Sequence, residues 1–348
     1  MREKYKYLTL APFSYTTPSA GFSTKMALLL FLPQVLMLFV TKSYLSLVQI
    51  LVTTLASVVA DVFYAFIRKK SLLPSVMVFF QGFLIGMFVP QGYPLFLLFL
   101  ITFFSLFLTS YMFGGFAQSW INPVAISVIF LYLLGTQYFP GFTVNVSHLQ
   151  TPNIGQQLIN DGLIPKISKD ADITNFLNAR VFKFAGVALP EGYVSIFWDT
   201  GALIPAFRFN LLTILATIVL LSFGCIKWII PSSFLLVYGL LVRIFGLYPY
   251  GGMLNQGDIL LAIFSSGTMI MAFFLLQWAG TTPQTIVGKV FYGIIAGVVA
   301  FFVIGCGTSP IGAMFVVLVL NAISTVIMLI EELVYIHSIR IKENAYDR

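Results

Sequence analysis

Long apolar runs, separated by short polar breaks, cover most of the chain. Ten of them are long enough, or nearly long enough, to cross the hydrocarbon core of a bilayer as a helix, which takes about 20 residues. They lie at roughly 26–41, 44–66, 72–90, 93–112, 121–139, 207–223, 228–246, 258–279, 286–305 and 310–335. Backbone groups in lipid must bond within their own segment, so helices are expected. The pattern therefore predicts an all-α membrane protein with about ten transmembrane helices.

Basic residues indicate how these spans are oriented. They precede span 1, follow span 2, separate spans 6 and 7 and spans 8 and 9, and follow span 10. With ten spans all of these lie on one side, which the positive-inside rule assigns to the cytoplasm, and Lys42 is the exception. We therefore expect both termini in the cytoplasm.

The same pattern divides the chain into five parts. We expect residues 1–25 to form a cytoplasmic arm rather than a cleaved signal, and 336–348 to form a cytoplasmic tail. Residues 26–139 and 207–335 form two groups of five helices. Between them, 140–206 is a long loop on the outer face that holds five of the 12 acidic residues. Loops of this length are often functional, so chemistry is sought there first.

Two clusters of glycine and proline lie about half a chain apart. Gly114–Pro123 introduces span 5, and Gly305–Gly312 introduces span 10. Because each half has an odd number of spans, the second half would be inverted, giving two inverted five-helix repeats. Such repeats place a site at their interface, near the middle of the membrane. Close packing of small residues is the competing interpretation.

The broken helices supply the candidate residues for a cofactor site. Asn122 and Pro123 begin a helix, whose free backbone N–H groups suit an anion or a cofactor edge. A second polar interruption lies inside span 8. The resulting candidates are Gly114, Gly115, Asn122, Pro123, Ser266, Gly267 and Thr268.

Two carboxylates are candidates for an ion pathway, because intramembrane acids are costly and usually functional. Asp61 lies deep in span 2, where pairing with Arg68 or Lys69 is the alternative. Asp258 begins span 8, where a helix cap is the alternative. Arg208 lies near a span end and is expected to extend its side chain to the interface.

Composition agrees with a membrane protein and excludes several other classes. Hydrophobic residues make up 59% of the 348 and charged residues only 9%, against roughly a quarter in soluble domains. Mean hydropathy is +0.96. The two cysteines, Cys225 and Cys306, indicate neither a disulfide framework nor a metal cluster, and the two histidines are isolated. A nucleic-acid-binding protein is also excluded.

Several segments resemble the NqrB/RnfD family, in the same order and at matching intervals. The family contains membrane flavoprotein subunits of sodium-pumping NADH:quinone oxidoreductase and of the Rnf ferredoxin:NAD oxidoreductase complex. The length favours its RnfD branch. The segments that carry the resemblance are Phe113–Ala125, Ile230–Leu235, Ser266–Phe274, Gly288–Gly293 and Gly312–Ala322.

The resemblance implies a function. Family members pass electrons across the bacterial inner membrane and couple this to Na⁺ or H⁺ movement, together with further subunits of an Rnf- or Nqr-type complex. They carry FMN on a threonine of the outer face, and riboflavin is a second candidate cofactor. The chain would thus be a translocase subunit rather than an enzyme on its own.

Thr174 is the residue that best matches the family's flavin attachment point by position. The family's SGAT motif does not occur within 140–206, and only the acid, threonine and leucine of the local pattern remain in Asp170–Leu177. Ser168 is the nearest alternative hydroxyl. Two other functions stay open: a membrane channel or permease, and a flavin-free structural subunit on the same scaffold.

Overall fold

The computed structural model describes residues 18–69, 71–112, 114, 121–141, 153–246, 253–278, 280–305 and 309–346. Over these ranges all regular secondary structure is helical, with no strand. The prediction of an all-α protein is confirmed for this part of the chain.

Helices of the first half follow the first five apolar runs. They are α1 Ala20–Val40, α2 Tyr44–Ile67, α3 Val76–Met87, α4 Leu95–Leu106 and α5 Pro123–Leu134. The axis of α4 continues as a π-helical turn, Phe107–Tyr111. α1 begins at Ala20, inside the predicted arm, because the Ser19 hydroxyl caps it by accepting from Phe22 N at 3.3 Å.

The second half follows the last five runs, after three helices in the polar region. The three are α6 Ile154–Asn160, α7 Asp170–Arg180 and α8 Tyr193–Trp198. The later helices are α9 Asn210–Ser222, α10 Ile229–Phe245, α11 Ile259–Phe264, α12 Thr268–Ile270, α13 Ile286–Ile304 and α14 Gly312–Tyr346. α12 continues as a π-helical turn, Met271–Leu275. Residues 153–206 are called the outer segment below, after the side of the membrane on which the sequence predicts them.

Not every apolar run forms a helix of full membrane length. Within the described residues, four segments are long and apolar enough to span a membrane: Ala20–Val40, Tyr44–Ile67, Ile286–Ile304 and Gly312–His337. The other runs contain shorter helices; α3, for example, has 12 residues, or about 18 Å. The polypeptide between them folds as turns where proline or glycine stops the helix, as at Pro90 after α3. The ten-span arrangement stays a prediction.

The two halves pack their helices in the same order. In the first half α2 packs on α3 and α4, and α4 packs on α5. In the second half α10 packs on α11 and α13, and α13 packs on α14. Between the halves, α1 packs on α9 and α5 on α14. Both of these contacts join helices at equivalent positions, as a two-fold axis between the halves would require.

Small residues bring the helices of each half into close contact. A Cβ added to Gly82 of α3 would lie 2.6 Å from Thr54 Cα on α2. One added to Gly86 would lie 2.5 Å from Thr53 Oγ1. In the second half Gly293 and Gly297 of α13 face α10 in the same way. The backbones therefore approach through paired glycines four residues apart, a common device between membrane helices.

Candidate functional site

A helix break lies where the two halves meet. Gly267 separates α11 from α12 and has φ +68°, in the left-handed region that favours glycine. A Cβ at this position would lie 2.8 Å from the rings of Phe88 and Phe207. Because Phe88 ends α3, the break in the second half contacts the end of the corresponding helix in the first.

Two hydroxyls flank this break. Ser266 Oγ and Thr268 Oγ1 lie 2.5 Å apart, and both side chains are fully buried. Ser266 Oγ also donates to the Ala262 carbonyl at 3.2 Å, which would otherwise have lost its helical partner. The hydroxyls thus satisfy the interrupted backbone, and the candidates Ser266, Gly267 and Thr268 form one buried polar cluster.

Asn122 connects the start of α5 to the same region. Its Oδ1 accepts from Val124 N at 3.0 Å and from Ala125 N at 3.4 Å. Its Nδ2 donates to the Leu275 carbonyl at 3.2 Å, at the end of the π-helical turn. The Asn122 amide, fully buried, therefore holds two N–H groups that we expected to be free for an anion, and Pro123 supplies no N–H.

The glycine clusters before α5 and α14 are described only in part. Gly114 has φ +109° and donates its N–H to the Tyr111 carbonyl at 3.2 Å. Gly115 lies outside the described residues, as do Thr308 and Cys306. Ile311 and Gly312, at the start of α14, are buried, so this described end does not face outward.

Asp170 is the centre of the outer segment. Its carboxylate is fully buried and accepts from Gly192 N at 2.6 Å and from Ser195 N at 2.8 Å. Ser195 Oγ donates to it at 2.5 Å and accepts from Ile167 N at 3.0 Å. Several donors on one carboxylate can replace its hydration. Asp170 thereby fixes α7 against the start of α8.

Thr174 lies one turn further along α7 and is 1% exposed. Its hydroxyl donates to Asp170 Oδ1 at 3.3 Å. A phosphoester at this oxygen would place a second anion beside a buried carboxylate and would need space that packing occupies. In this arrangement of α7 the surroundings of Thr174 therefore do not fit the phosphate of FMN.

Asp258 joins the outer segment to the bundle. It is the N-cap of α11, with Oδ1 accepting from Leu261 N at 3.0 Å. Its Oδ2 accepts from Gly155 N at 2.9 Å and from the Tyr193 hydroxyl at 2.6 Å. Burial, and then the nearby Asp258, raise the pKa of Tyr193 above its ordinary value. Asp258 therefore has the geometry of a helix cap, which was the alternative to a role in an ion pathway.

Asp61 is half-buried on α2 and is paired with the Tyr111 hydroxyl. Tyr111 is the last residue of the π-helical turn after α4, and its ring lies 5.1 Å from that of Tyr64. Among the described residues Asp61 makes no ion pair with Arg68 or Lys69. The described residues therefore do not show the interfacial ion pair that was the alternative for Asp61.

Arg208 is held in an ion pair near the end of the bundle where α2 begins. Its guanidinium binds Asp199 through Nε–Oδ1 at 2.7 Å and Nη2–Oδ2 at 2.6 Å. Nη1 donates to Ser43 Oγ at 2.8 Å, next to the start of α2. The two side chains are 8% and 17% exposed. Sequence reasoning missed this pair, although an acid nine residues before an arginine was the available signal.

The fold and these contacts define a class: a polytopic helical membrane protein with broken helices at the contact between its two halves. The described residues contain no group of three side chains able to hold a metal ion. The chain belongs to the NQR2, RnfD, RnfE family, whose model matches residues 8–334.

Relatives in bacteria are each named as a subunit of an "Ion-translocating oxidoreductase complex". The one from Aliivibrio salmonicida (strain LFI1238) is 23% identical over 331 residues, covering 90% of this chain and 93% of the relative. The one from Buchnera aphidicola subsp. Schizaphis graminum (strain Sg) is 25% identical over 299 residues, with 80% and 82% covered. That from Shigella boydii serotype 18 is 23% identical over 314 residues, with 79% and 82% covered.

Proposed function

We propose that this protein is an integral membrane subunit of an ion-translocating electron-transport complex of the Rnf type. The observation that carries the proposal is the family match over residues 8–334, together with relatives of nearly the same length that bear the name of such a subunit. The apolar helices and the break at the contact of the two halves are suited to that role. Other subunits of the complex are its partners.

The arrangement of helix ends supports the ten-span topology with both termini in the cytoplasm. One common pocket is lined by six helix ends. Four of them are starts, of α1, α3, α10 and α13, and two are ends, of α9 and of the π-helical turn Met271–Leu275. At the opposite end, Ser43 contacts Arg208, and Gln91 N donates to the Leu203 carbonyl at 3.0 Å. Chain direction therefore alternates as ten spans require. The shared packing order supports the two inverted repeats.

Membrane vesicles test the proposed function. Inverted vesicles from the native bacterium would be energised with the complex's reductant, and Na⁺ uptake and acidification would be followed separately. We expect one of the two gradients to vanish when the gene is deleted and to return with the wild-type chain. A tagged chain that purifies without other membrane subunits would contradict the proposal.

Asp61 is the residue we propose for the ion pathway. It lies within a long span, and among the described residues it is paired with the Tyr111 hydroxyl and makes no ion pair. Asp258 remains a second candidate, although both of its oxygens accept hydrogen bonds. We expect Asp61→Asn to abolish the gradient while the complex still assembles, whereas Asp258→Asn should first detach the outer segment.

Covalent FMN on Thr174 is a finer proposal, and it requires α7 to shift until the buried Thr174 hydroxyl becomes accessible. Denaturing electrophoresis under ultraviolet light tests it, using protein from cells that contain the flavin-attaching transferase. A fluorescent band lost in Thr174→Val and kept in Thr174→Ser would support attachment there. A band kept in Thr174→Val would place the flavin elsewhere.

A flavin-free structural subunit is the second candidate, and the enclosed Thr174 hydroxyl favours it. In that case the wild-type protein gives no band, while the other subunits still co-purify with it. The two candidates are therefore separated by the same gel. A permease would purify alone and would transport its solute without a reductant.

A further inference from the structure

A pocket of about 430 Å³ lies at the end of the bundle where α1 begins. The first turns of α1, α3, α10 and α13 line it, as do the loop after α9 and the segment that follows the π-helical turn Met271–Leu275. It lies at the end that the proposed topology places in the cytoplasm, and it is separate from the helix break at Gly267. None of the functions proposed above uses it.

Two cations point into this pocket. Lys227, from the loop after α9, and Lys289, from the first turn of α13, both line it, and they are close enough for the charge of one to act on the other. No acidic residue is among the described residues of the lining. Two like charges at this range repel, and an anion between them would convert the repulsion into attraction.

The carboxylate that acts on Lys289 is already engaged elsewhere. Glu331 accepts from Gln284 N at 2.9 Å, from Thr285 N at 3.1 Å and from Thr285 Oγ1 at 2.5 Å. It is thereby held at the N-terminus of α13, where a negative charge is favourable. Lys289 Nζ donates to the Gln284 carbonyl at 2.9 Å. Its remaining donors are therefore available to a ligand.

Lys227 is held at the pocket by its backbone. Its N–H donates to Gln277 Oε1 at 2.9 Å, and Gln277 also lines the pocket. The loop that carries it turns at Gly224, which has φ +69°. The fold thus fixes the backbone of Lys227 beside the pocket, and its side chain is exposed.

Another part of the pocket lining is apolar. Phe80 and Trp278 stack with ring centroids 6.3 Å apart and planes 6° apart, and Phe274 and Leu220 extend the same surface. A simple inorganic anion would leave this wall in contact with water. A ligand with a phosphate group on an apolar body would cover both surfaces at once.

We propose that this pocket binds the phosphate group of an anionic phospholipid between Lys227 and Lys289, with part of an acyl chain against the Phe80–Trp278 wall. Basic pockets between helix ends at a membrane surface suit such head groups. Each non-bridging oxygen of a phosphodiester can accept more than one hydrogen bond, so hydroxyls of the lining such as Ser23 can bind it alongside the lysines. The proposal does not depend on a redox function.

Cys225 provides a reporter inside the site, because it lines the pocket and is a free, half-buried thiol. In the full-length Cys306→Ser protein it is the only cysteine. The rate of its alkylation by a maleimide would be measured in detergent with added phosphatidylglycerol, phosphatidylcholine or inorganic phosphate. We expect phosphatidylglycerol alone to slow the reaction.

Variants test the role of the lysines. Protection is defined as the ratio of the Cys225 alkylation rate without lipid to the rate with lipid. We expect the double variant Lys227→Gln, Lys289→Gln to weaken protection about tenfold. We expect a similar loss in Thr282→Asp, which adds a carboxylate to the lining. The double arginine variant should keep protection. Lys25→Gln, an exposed cation of α1 outside the pocket, is the matched control and should also keep it.

Three results decide the matter. Equal protection by inorganic phosphate would keep the phosphate site but overturn a lipid source. Equal protection by phosphatidylcholine, or full protection in both the double glutamine variant and Thr282→Asp, would overturn the proposal. Each variant must elute from gel filtration as the parent does, and the double arginine variant covers the case in which the glutamine variant misfolds.

Discussion

The helical bundle and the outer segment are held together by different forces. In the bundle, Gly82 and Gly86 let α3 approach the backbone of α2, and paired glycines of α13 do the same against α10. The outer segment is fixed and attached by hydrogen bonds to three carboxylates: its own Asp170 and Asp199, and Asp258 of the bundle.

The difference follows from the surroundings of each region. Lipid tails are as apolar as leucine, so in the bundle the closeness of fit decides which helices associate. The outer segment has too few residues to build a large apolar core of its own. It relies instead on a few carboxylates whose donors are supplied by distant parts of the chain. Four predictions test this contrast.

Replacing Asp170 should have the largest effect. Asp170→Ala leaves the N–H groups of Gly192 and Ser195 without their acceptor, which should lower the free energy of unfolding of the outer segment by about 4 kcal/mol. Hydrogen exchange of those amides and limited proteolysis within residues 153–206 measure the change. Asp172→Ala, on the same helix but exposed, is the control and should alter little. Unchanged protection in Asp170→Ala would refute a central role for this carboxylate.

Removing the buried ion pair comes next. Arg208→Ala leaves the Asp199 carboxylate uncompensated and should cost about 3 kcal/mol, measured by the same proteolysis. Arg208→Lys should recover only part of it, because lysine cannot bind both oxygens of Asp199. In the exposed pair, Lys166→Ala loses a contact of 3.2 Å to Glu191 and should cost less than about 1 kcal/mol. Equal effects in Arg208→Ala and Lys166→Ala would mean that burial is irrelevant here.

A methyl group should disturb the bundle where backbones touch. Gly82→Ala places its Cβ 2.6 Å from Thr54 Cα, so α2 and α3 must separate, at about 2 kcal/mol. The melting midpoint in detergent should fall, while proteolysis of the outer segment stays as in the wild type. Gly21→Ala, with no atom within 4 Å, is the matched control and should be neutral or slightly stabilising. A midpoint unchanged by Gly82→Ala would argue against close packing at this helix pair.

Alkaline pH should loosen the outer segment slightly. Burial and Asp258 raise the pKa of Tyr193 in the folded protein, so its stabilising contribution is complete below the ordinary tyrosine pKa of about 10 and declines as pH rises above it. The decline is at most about 1.4 kcal/mol per pH unit. Proteolysis at pH 8 and pH 11 should show it. Tyr193→Phe should lose this dependence and the exposed control Tyr44→Phe should keep it; the reverse pattern would rule out Tyr193 as the group responsible.

The sequence predicted the bundle better than the outer segment. Apolar runs record burial in lipid directly, so each predicted run contains a helix in the structure. Helix lengths were less predictable, because turns such as the one after α3 depend on contacts like Gln49 Nε2 to the Pro90 carbonyl at 3.0 Å, 41 residues away. A window average of hydropathy does not register such contacts.

The polar contacts show the same limit more clearly. In the sequence Asp170 is only an acid near Thr174, and Arg208 is expected at the interface. Their actual partners include Ser195, 25 residues from Asp170, and Ser43, 165 residues from Arg208. One sequence does not reveal such pairs, since the partners share no local pattern. A helix cap at Asp258 is predictable because capping is a local property.

The attachment of Gly155 and Tyr193 to Asp258 has a consequence for synthesis of the protein. The ribosome makes Asp258 roughly fifty residues after the outer segment is complete, which at bacterial elongation rates is a delay of several seconds. During that interval the segment lacks its anchor on α11. Until this carboxylate is made, the segment cannot close onto the bundle through Gly155 and Tyr193.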